Sequence, residues 1–308
     1  MENHIQYITE SGYLTAYEFH NNTPSRRDNM TYTQEIFQRA KGVQFMERLS
    51  TGPNLLLYPF ARFALLSVLD DSYTYALAVH YFHIFYMHKS LKEFNCFVSD
   101  IGASCLFLAA KQTDNRRELS QVSEYSARTS LKHEHMITNH EIDKWKYKIL
   151  KYEPIIFYVI YSHMDIKLPF QFLFMFRDFL TGYDQEIVNR LIGCSFQLLM
   201  NCMYAPIMLF FSPKTIAAAA IFLAAKSSDI PLNDDPRAGA CWFEFAKVED
   251  INIVAAAVDY ILQSYTTGPV VKKLGCSQDP NCPNNPLHFT CTEIKHIERA
   301  QVPTPPDT

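Results

Sequence analysis

Three histidines that could ligate a metal lie close together in the sequence, at His80, His83 and His88. Imidazole nitrogens are common zinc ligands, and residues three or four apart are neighbours on a helix surface. The segment around them is otherwise aromatic and apolar, however, and such a helix is usually enclosed by other helices. Packing in the core or at an interface is therefore the favoured interpretation, and a metal cluster is the alternative.

Two further groups combine residues with metal-ligand chemistry, one in a polar loop and one near the carboxyl end. The loop group lacks the His-Asp dipeptide of helical metal phosphohydrolases, and the spacing of the terminal group matches no common zinc finger. We therefore expect no metal and no other cofactor. The alternative is a helical metal hydrolase, which stoichiometric metal in the purified protein would support. The groups are His133, His135 and His140, and Cys276, Cys282, His288, Cys291 and His296.

Three lysines, Lys144, Lys148 and Lys151, line one face of another predicted helix. Lysines at this spacing most often form a solvated face, and a patch for phosphorylated or acidic partners is the alternative. The sequence contains no Gly-x-Gly pair, no glycine-rich phosphate loop and no Gly-x-Ser-x-Gly elbow. Catalysis by this chain is therefore not predicted.

The run Phe-Leu-Ala-Ala-Lys occurs twice, at 107–111 and at 222–226, each time at the end of a run of small and apolar residues. A helix that is apolar on nearly every side must be enclosed by other helices, and small residues let their backbones come close. Each copy is thus predicted to lie at the centre of its own bundle. The separation of 115 residues is a domain-sized period, so two similar domains are expected.

The composition indicates a globular protein whose charge does not favour nucleic acid. Of its 308 residues, 48% are hydrophobic and 14% aromatic, and the net charge is −4. A negative charge argues against a surface that neutralises phosphates over a whole face. The amino terminus lacks a secretory-signal pattern, and no stretch reaches the roughly 18 apolar residues of a membrane span, so we expect an intracellular protein with reduced cysteines.

Helical periodicity dominates the sequence and divides into two sets of five helices. Thr33 is predicted to cap the first helix at its amino-terminal end. One of residues 70–72 is predicted to cap the second helix. The segment 55–69 is predicted to be a buried loop with a short helix. The domains are predicted to be a polar leader (1–32), a first bundle (33–168), a second bundle (169–266) and an irregular tail (267–308). The helices are predicted at 33–49, 70–88, 97–113, 118–130 and 141–161, and at 170–180, 184–203, 213–226, 242–246 and 248–265.

Four stretches, in this order along the chain, resemble the cyclins, and most closely the transcription group that includes cyclins K, T, C and L. The likeness extends over about residues 34–265. It implies an all-α fold of two tandem five-helix cyclin boxes. The stretches are Tyr-Phe-His-Ile-Phe-Tyr-Met at 81–87 with Ser-Leu-Lys-Glu-Phe at 90–94, the run at 105–111, the helix at 145–153 followed by Pro-Phe at 169–170, and Ser-Pro-Lys-Thr-Ile-Ala-Ala-Ala-Ala at 212–220.

The resemblance also implies a role without catalysis, as the activating, regulatory subunit of a cyclin-dependent kinase. In that family a lysine and a glutamate form a buried charged pair that binds backbone groups beside the regulatory helix of the kinase, and Lys111 and Glu153 occupy those places. Leu108 and Phe157 would flank the pair with apolar contact surface. Asp114 would supply one acidic contact where the family usually has Val-Glu-Glu after the lysine.

Two features of the sequence bear on that pair. Pro154 directly follows Glu153, and proline inside a helix removes a hydrogen bond and kinks the axis at a cost of ~3 kcal/mol or more, so the direction of the Glu153 side chain is in question. Lys226, at the equivalent position of the second copy, has no matching carboxylate in the sequence. We interpret it as an ordinary charge at a helix end.

The likeness to transcription cyclins implies a kinase that phosphorylates the carboxy-terminal domain of RNA polymerase II, and therefore a nuclear location. The implied partners are the cyclin-dependent kinase and, in some complexes, a third regulatory subunit, with no membrane and no direct nucleic acid. The alternative is a DNA-binding factor of the transcription factor IIB type, which has the same doubled fold. That family adds an amino-terminal zinc ribbon and a basic face, neither of which this sequence shows.

Overall fold

The computed structural model describes residues 14, 16–51, 68–93, 97–131, 137–164, 166–177, 180, 183–228, 230, 232 and 251–266. Regular secondary structure in this part of the chain is entirely helical, so the predicted all-α fold is confirmed. Two short 3₁₀ segments, Tyr161–His163 and Ile207–Leu209, accompany the α-helices. The α-helices are α1 Ala16–Asn21, α2 Pro24–Arg27, α3 Tyr32–Ser50, α4 Val68–His88, α5 Val98–Gln112, α6 Leu119–Ser130, α7 Asn139–Ile160, α8 Pro169–Arg177, α9 Gln185–Cys202, α10 Pro213–Ser227 and α11 Ile251–Thr266.

The first Phe-Leu-Ala-Ala-Lys run lies at the centre of a bundle formed by α3 to α7. Helix α5 packs against all four of the other helices, and eleven consecutive residues, from Asp100 to Ala110, are buried. Since a helix completes a turn in 3.6 residues, continuous burial over this length means that protein covers every side. Small residues such as Ala103 and Ser104 allow the neighbouring backbones to approach this closely.

The second run occupies the same place among the helices that follow. Helix α10 packs against α8, α9 and α11, and it is buried almost continuously from Thr215 to Ala225. The predicted short helix at 242–246 lies outside the described residues, as do segment 55–67 and the tail 267–308. The predicted boundaries between leader, boxes and tail remain predictions.

Two predicted helix caps are wrong. Helix α3 is capped by Thr31, whose hydroxyl accepts a hydrogen bond from the Gln34 backbone while the Gln34 side chain accepts one from the Thr31 backbone. This reciprocal arrangement needs Gln or Glu three residues after the cap, which Thr33 lacks. Helix α4 begins at Val68, so residues 70–72 lie inside the helix rather than before it.

Helices α1 and α2 lie within the predicted polar leader, and both sit over a buried ion pair. The Arg39 guanidinium lies 2.8 Å from the Glu35 carboxylate, and both side chains are fully buried. Arg39 also donates to the backbone carbonyls of His83 and Tyr86 on α4. Burial of unpaired charge is costly, and these contacts satisfy the guanidinium on both sides.

The amino-terminal helices complete the enclosure of that ion pair. The hydroxyl of Thr23 donates a 2.6 Å hydrogen bond to the second Glu35 oxygen, and the Phe19 ring lies 5.3 Å from the Arg39 guanidinium. Phe19 is buried and also packs edge-on against Phe210, beyond the first bundle. Residues before α3 therefore belong to the packed structure and contact both halves of the chain.

Buried polar contacts also join the two bundles directly. The imidazole Nε2 of His83 donates to the carbonyl of Met203 at 3.0 Å, and the Tyr204 hydroxyl donates to the Glu47 carboxylate. His80 lies beside His83 in the same buried layer. The core interpretation is thus supported for His80 and His83 by their burial and contacts, whereas His88 is exposed, with its ring 5.8 Å from that of His163.

We predict that Gly42→Ala destabilises the protein, because the Phe82 ring of α4 packs directly against this residue of α3. An added Cβ would lie 2.1 Å from Cζ of Phe82, and a forced overlap of this kind typically costs about 1 to 3 kcal/mol. The matched control is Gly193→Ala in α9, where an added Cβ meets nothing within 4 Å. Urea unfolding should show no loss for the control; equal losses in both variants would contradict this packing.

A second prediction concerns acid stability. Burial lowers the pKa of His83 from 6.5 to about 3. The unfolded chain binds a proton at this residue below about pH 6.5 while the folded chain does not, so its contribution to stability is lost as the pH falls from 6.5 towards 3. Replacement by glutamine, which can still donate to Met203, should flatten unfolding free energy against pH by about 1.4 kcal/mol per pH unit in that interval. Parallel curves for wild type and His83→Gln would contradict it.

Candidate partner-binding site

Lys111 and Glu153, predicted to act together, form an ion pair on the surface of the first bundle. Lys111 lies in the last turn of α5 and Glu153 in α7, and the Lys111 Nζ is 2.6 Å from the Glu153 Oε1. The two helices pack tightly together, which brings these side chains into contact. The Lys111 side chain is 48% exposed and that of Glu153 15%, so the pair borders solvent on the lysine side.

The pair contributes little to the stability of the fold. Exposed ion pairs are worth at most about 1 kcal/mol because water competes for both charges. The Lys111 ammonium also lies 4.2 Å from the centre of the Phe107 ring, one turn earlier on α5, and this contact helps to orient it. The geometry is therefore better suited to presenting two charged groups to another molecule than to holding α5 and α7 together.

Pro154 does not prevent Glu153 from reaching Lys111. Helix α7 is continuous from Asn139 to Ile160 with Pro154 inside it. The proline lacks a backbone N–H, which leaves the carbonyl of Leu150 without its usual helical donor. Pro154 and Leu150 are both exposed, so water can bind that carbonyl.

The two apolar residues predicted to flank the pair differ in position. Phe157 is 42% exposed, as a contact residue requires, and its ring packs against Tyr161. Leu108 is only 6% exposed and belongs to the core, so its prediction as contact surface is corrected. Because α5 is apolar on every side, the sequence gives no means of choosing which of its residues faces outward.

Helix α7 carries an exposed apolar stripe, of which only Phe157 was predicted from the sequence. Its residues lie on the side opposite the buried residues of the same helix. Exposed apolar surface of this extent commonly marks a site of protein–protein contact. The signal was present as a second apolar period in α7, but a period alone does not distinguish a buried side from an exposed one. The members are Tyr147, Leu150, Phe157 and Tyr158 of α7, and Tyr161 directly after it.

Asp114 lies just beyond α5 in a left-handed backbone conformation, with φ of 54°. Helices often end with a residue in this conformation, usually glycine and sometimes asparagine, because side chains with a Cβ are strained there. Asp114 is exposed, as a partner contact would need to be. Its place in the structure is explained by helix termination, and its predicted contact with a kinase remains a prediction.

The equivalent position of the second bundle lacks such a pair. Lys226 ends α10, and its ammonium lies 5.7 Å from the Phe222 ring. No carboxylate of the described residues lies within 4.0 Å of it.

The other candidate sites of the sequence analysis are not assembled in the described part of the chain. No group of three or more His, Cys, Asp and Glu side chains there could hold a metal ion. His133 and His135 and the terminal cysteines and histidines lie outside the described residues. None of the described helices has the length and apolar character needed to cross a membrane.

The arrangement of helices is similar to that of two solved structures. The structure is similar to a chain in the crystal structure of the yeast RNA Pol II CTD kinase CTDK-1 complex, with a TM-score of 0.67, 14% identity and coverage of 93% of this chain and 82% of that one. It is also similar to a chain in the CAK complex from Chaetomium thermophilum bound to ATP-gamma-S, with a TM-score of 0.54, 17% identity and coverage of 91% and 83%. This is the doubled helical fold of cyclin subunits.

Sequence comparison finds distant relatives of the chain. The chain is 25% identical over 273 residues to cyclin Pch1 of Schizosaccharomyces pombe, covering 86% of this chain and 74% of that protein. It is 24% identical over 249 residues to human cyclin K and 25% identical over 240 residues to cyclin T1-1 of Oryza sativa, but spans only 39% and 49% of their lengths. No protein-family profile matches the sequence. These relatives are cyclins, and the chain is a distant homologue of Pch1, cyclin K and cyclin T.

We predict that the backbone at residue 114 limits which substitutions are tolerated there. Asp114→Ala should be less stable than Asp114→Gly by about 1 kcal/mol, because a left-handed conformation is strained for alanine and free for glycine. Thermal unfolding of the two variants side by side measures the difference. Greater stability of the alanine variant would show that this residue does not terminate α5 in the described way.

Proposed function

We propose that this chain is the regulatory, activating subunit of a cyclin-dependent kinase and performs no catalysis itself. The observation that carries the proposal is the Lys111–Glu153 pair, exposed beside an apolar stripe on the first bundle of a cyclin fold. Its relatives are cyclins, and cyclin homologues are non-catalytic regulatory subunits. The kinase would supply the ordered lysine, glutamate and metal ions that phosphoryl transfer requires.

The chemistry of the pair suits recognition of a partner's backbone. An ammonium group has three donors, and one is used on the Glu153 Oε1. The other donors of Lys111 and the second carboxylate oxygen of Glu153 are available to carbonyl and N–H groups at the end of a partner helix. Charge-assisted hydrogen bonds of this kind are stronger than neutral ones, and a paired charge costs less to desolvate than a lone one.

The apolar stripe would supply most of the contact area. Phe157 lies one helical turn after Glu153, and Leu150 lies almost one turn before it. Large side chains on both sides would exclude water from the pair when the partner is bound, and its hydrogen bonds would then strengthen. Aromatic residues surrounding a polar anchor are characteristic of the energetically important centres of protein interfaces.

Activation would be allosteric. A kinase alternates between arrangements of its regulatory helix and activation loop, and a partner that binds one arrangement more tightly shifts the population towards it. Contacts of Lys111 and Glu153 with backbone at the regulatory helix would provide that difference in affinity. The first cyclin box, residues 33–168, would carry this function, flanked by a leader (1–32), a second box (169–266) and a tail (267–308).

The finer proposal is a nuclear kinase complex that phosphorylates the carboxy-terminal domain of RNA polymerase II, with a third regulatory subunit. It is supported by the relatives, which are cyclin K, cyclin T and Pch1, and by the similar chain in the CTDK-1 complex. A DNA-binding role of the transcription factor IIB type is disfavoured by the net charge of −4.

We predict that replacing both members of the pair, in the double variant Lys111→Ala and Glu153→Ala, weakens binding of the kinase about ten-fold or more, or by about 1.4 kcal/mol. The readouts are recovery of the kinase on the tagged chain from co-expressing cells and its activity on a polymerase-repeat peptide. The control is the double variant Arg128→Ala and Glu124→Ala, which removes an exposed ion pair from α6.

A charge exchange separates partner recognition from structure. The combination Lys111→Glu with Glu153→Lys allows an ion pair within the chain but reverses what a partner meets. It should therefore bind the kinase as weakly as the alanine variant while unfolding like the wild type. Wild-type kinase recovery and activity in both the alanine and the exchanged variants would overturn the proposal.

A further inference from the structure

A second polar site lies on the same two helices, near the amino-terminal ends of α5 and α7. It is a groove of about 420 Å³, open to solvent. Asp100 in α5 lies eleven residues before Lys111, which corresponds to about 16 Å along the helix axis. The start of the groove is therefore distant from the proposed kinase-binding pair, whereas its far end reaches Lys151, two residues before Glu153, and shares Tyr147 with the apolar stripe. Its lining includes Asp100, Asp143, Lys144, Tyr147, Lys148 and Lys151.

The two carboxylates of the groove are already paired. Lys148 lies 2.9 Å from Asp100 and packs over the Trp145 ring, so its ammonium joins α7 to the start of α5. Lys146 lies 3.0 Å from Asp143. The charges of Lys148 and Lys146 are thus used within the protein.

Lys144 and Lys151 differ from these two. Both are exposed, and no carboxylate of the described residues lies within 4.0 Å of either ammonium. Lys144 interacts electrostatically with Glu141, whose carboxylate accepts hydrogen bonds from the backbone N–H and the hydroxyl of Thr138. The ammonium of Lys151 lies 5.1 Å from the Tyr152 ring. The groove therefore presents two cations that lack an ion-pair partner among these residues.

We propose that this groove binds a phosphorylated peptide segment, with Lys144 and Lys151 contacting the phosphate. The two lysines are two helical turns apart, about 10 Å along the axis, and their long side chains can converge on one group between them. Phosphate at neutral pH carries close to two negative charges and three acceptor oxygens, which match two ammonium groups. Tyr147 lies between the lysines with its side chain 67% exposed, where its ring can cover an apolar neighbour of the phosphorylated residue.

The charges of the groove favour a phosphorylated peptide over nucleic acid as its ligand. A nucleic-acid strand carries a phosphate at every nucleotide and needs several cations in a row. Beside His140 and the paired Lys148, this groove offers two lysines without an ion-pair partner among the described residues, set between the carboxylates Asp100 and Asp143, on a chain of net charge −4. A peptide with one phosphate among neutral residues can bind the two lysines. It brings no second phosphate close to the carboxylates, as a nucleic-acid strand would.

The test is a binding titration with the purified full chain alone, so its outcome does not depend on kinase binding. The probe is a short fluorescent peptide with one phosphoserine among neutral residues, and its unphosphorylated copy is the reference. The affinity for the phosphorylated peptide should exceed that for the copy about ten-fold, and the double variant Lys144→Ala and Lys151→Ala should lose that preference. The charge-matched control is Lys41→Ala with Lys226→Ala, two exposed lysines on α3 and α10.

The proposal is supported if the phosphate preference disappears in the groove variant and persists in the control. Equal affinity of the wild type for both peptides would overturn it, and so would an equal loss in both double variants, which would indicate general attraction by surface lysines. Tighter, salt-sensitive binding of single-stranded RNA to the same groove would assign it to nucleic acid instead. Thermal unfolding of both variants verifies that each remains folded.

Discussion

The rest of the structure depends on the complete burial of helix α5. From Asp100 to Ala110 every residue of this helix is covered, which requires helices on all sides and small residues at their contacts. Burial ends at Lys111, the first residue of the helix that reaches solvent again. Enclosure of α5 thus sets both the architecture of the first bundle and the place where a charged group emerges beside α7.

The two Phe-Leu-Ala-Ala-Lys runs are equivalent in architecture but differ at their ends. Each run lies at the centre of a bundle. Among the described residues, however, Lys111 of the first run contacts a carboxylate of a neighbouring helix and Lys226 of the second does not. The exposed apolar stripe of α7 lies beside this first pair. We therefore propose partner recognition for the first bundle, whereas the second packs against it through buried contacts such as that of His83 with Met203.

The sequence predicted the helices and the Lys111–Glu153 contact because periodicity and family resemblance both report on them. It did not predict the Arg39–Glu35 pair, since charged residues on an amphipathic helix are normally exposed and nothing local indicates that α1 and α2 cover them. Those two helices are too short to show a period. Leu108 was misplaced for the opposite reason, because a helix that is apolar on every side has no distinguishable outer face.

Hydrogen–deuterium exchange of the chain with and without its bound cyclin-dependent kinase tests the central claim most directly. Bound kinase should slow exchange around the end of α5 and the second half of α7, which carry Lys111, Glu153 and Phe157, while the exposed start of α9 and the end of α10 are unaffected. Protection confined to helices α8 to α11, with α5 and α7 unchanged, would contradict the account.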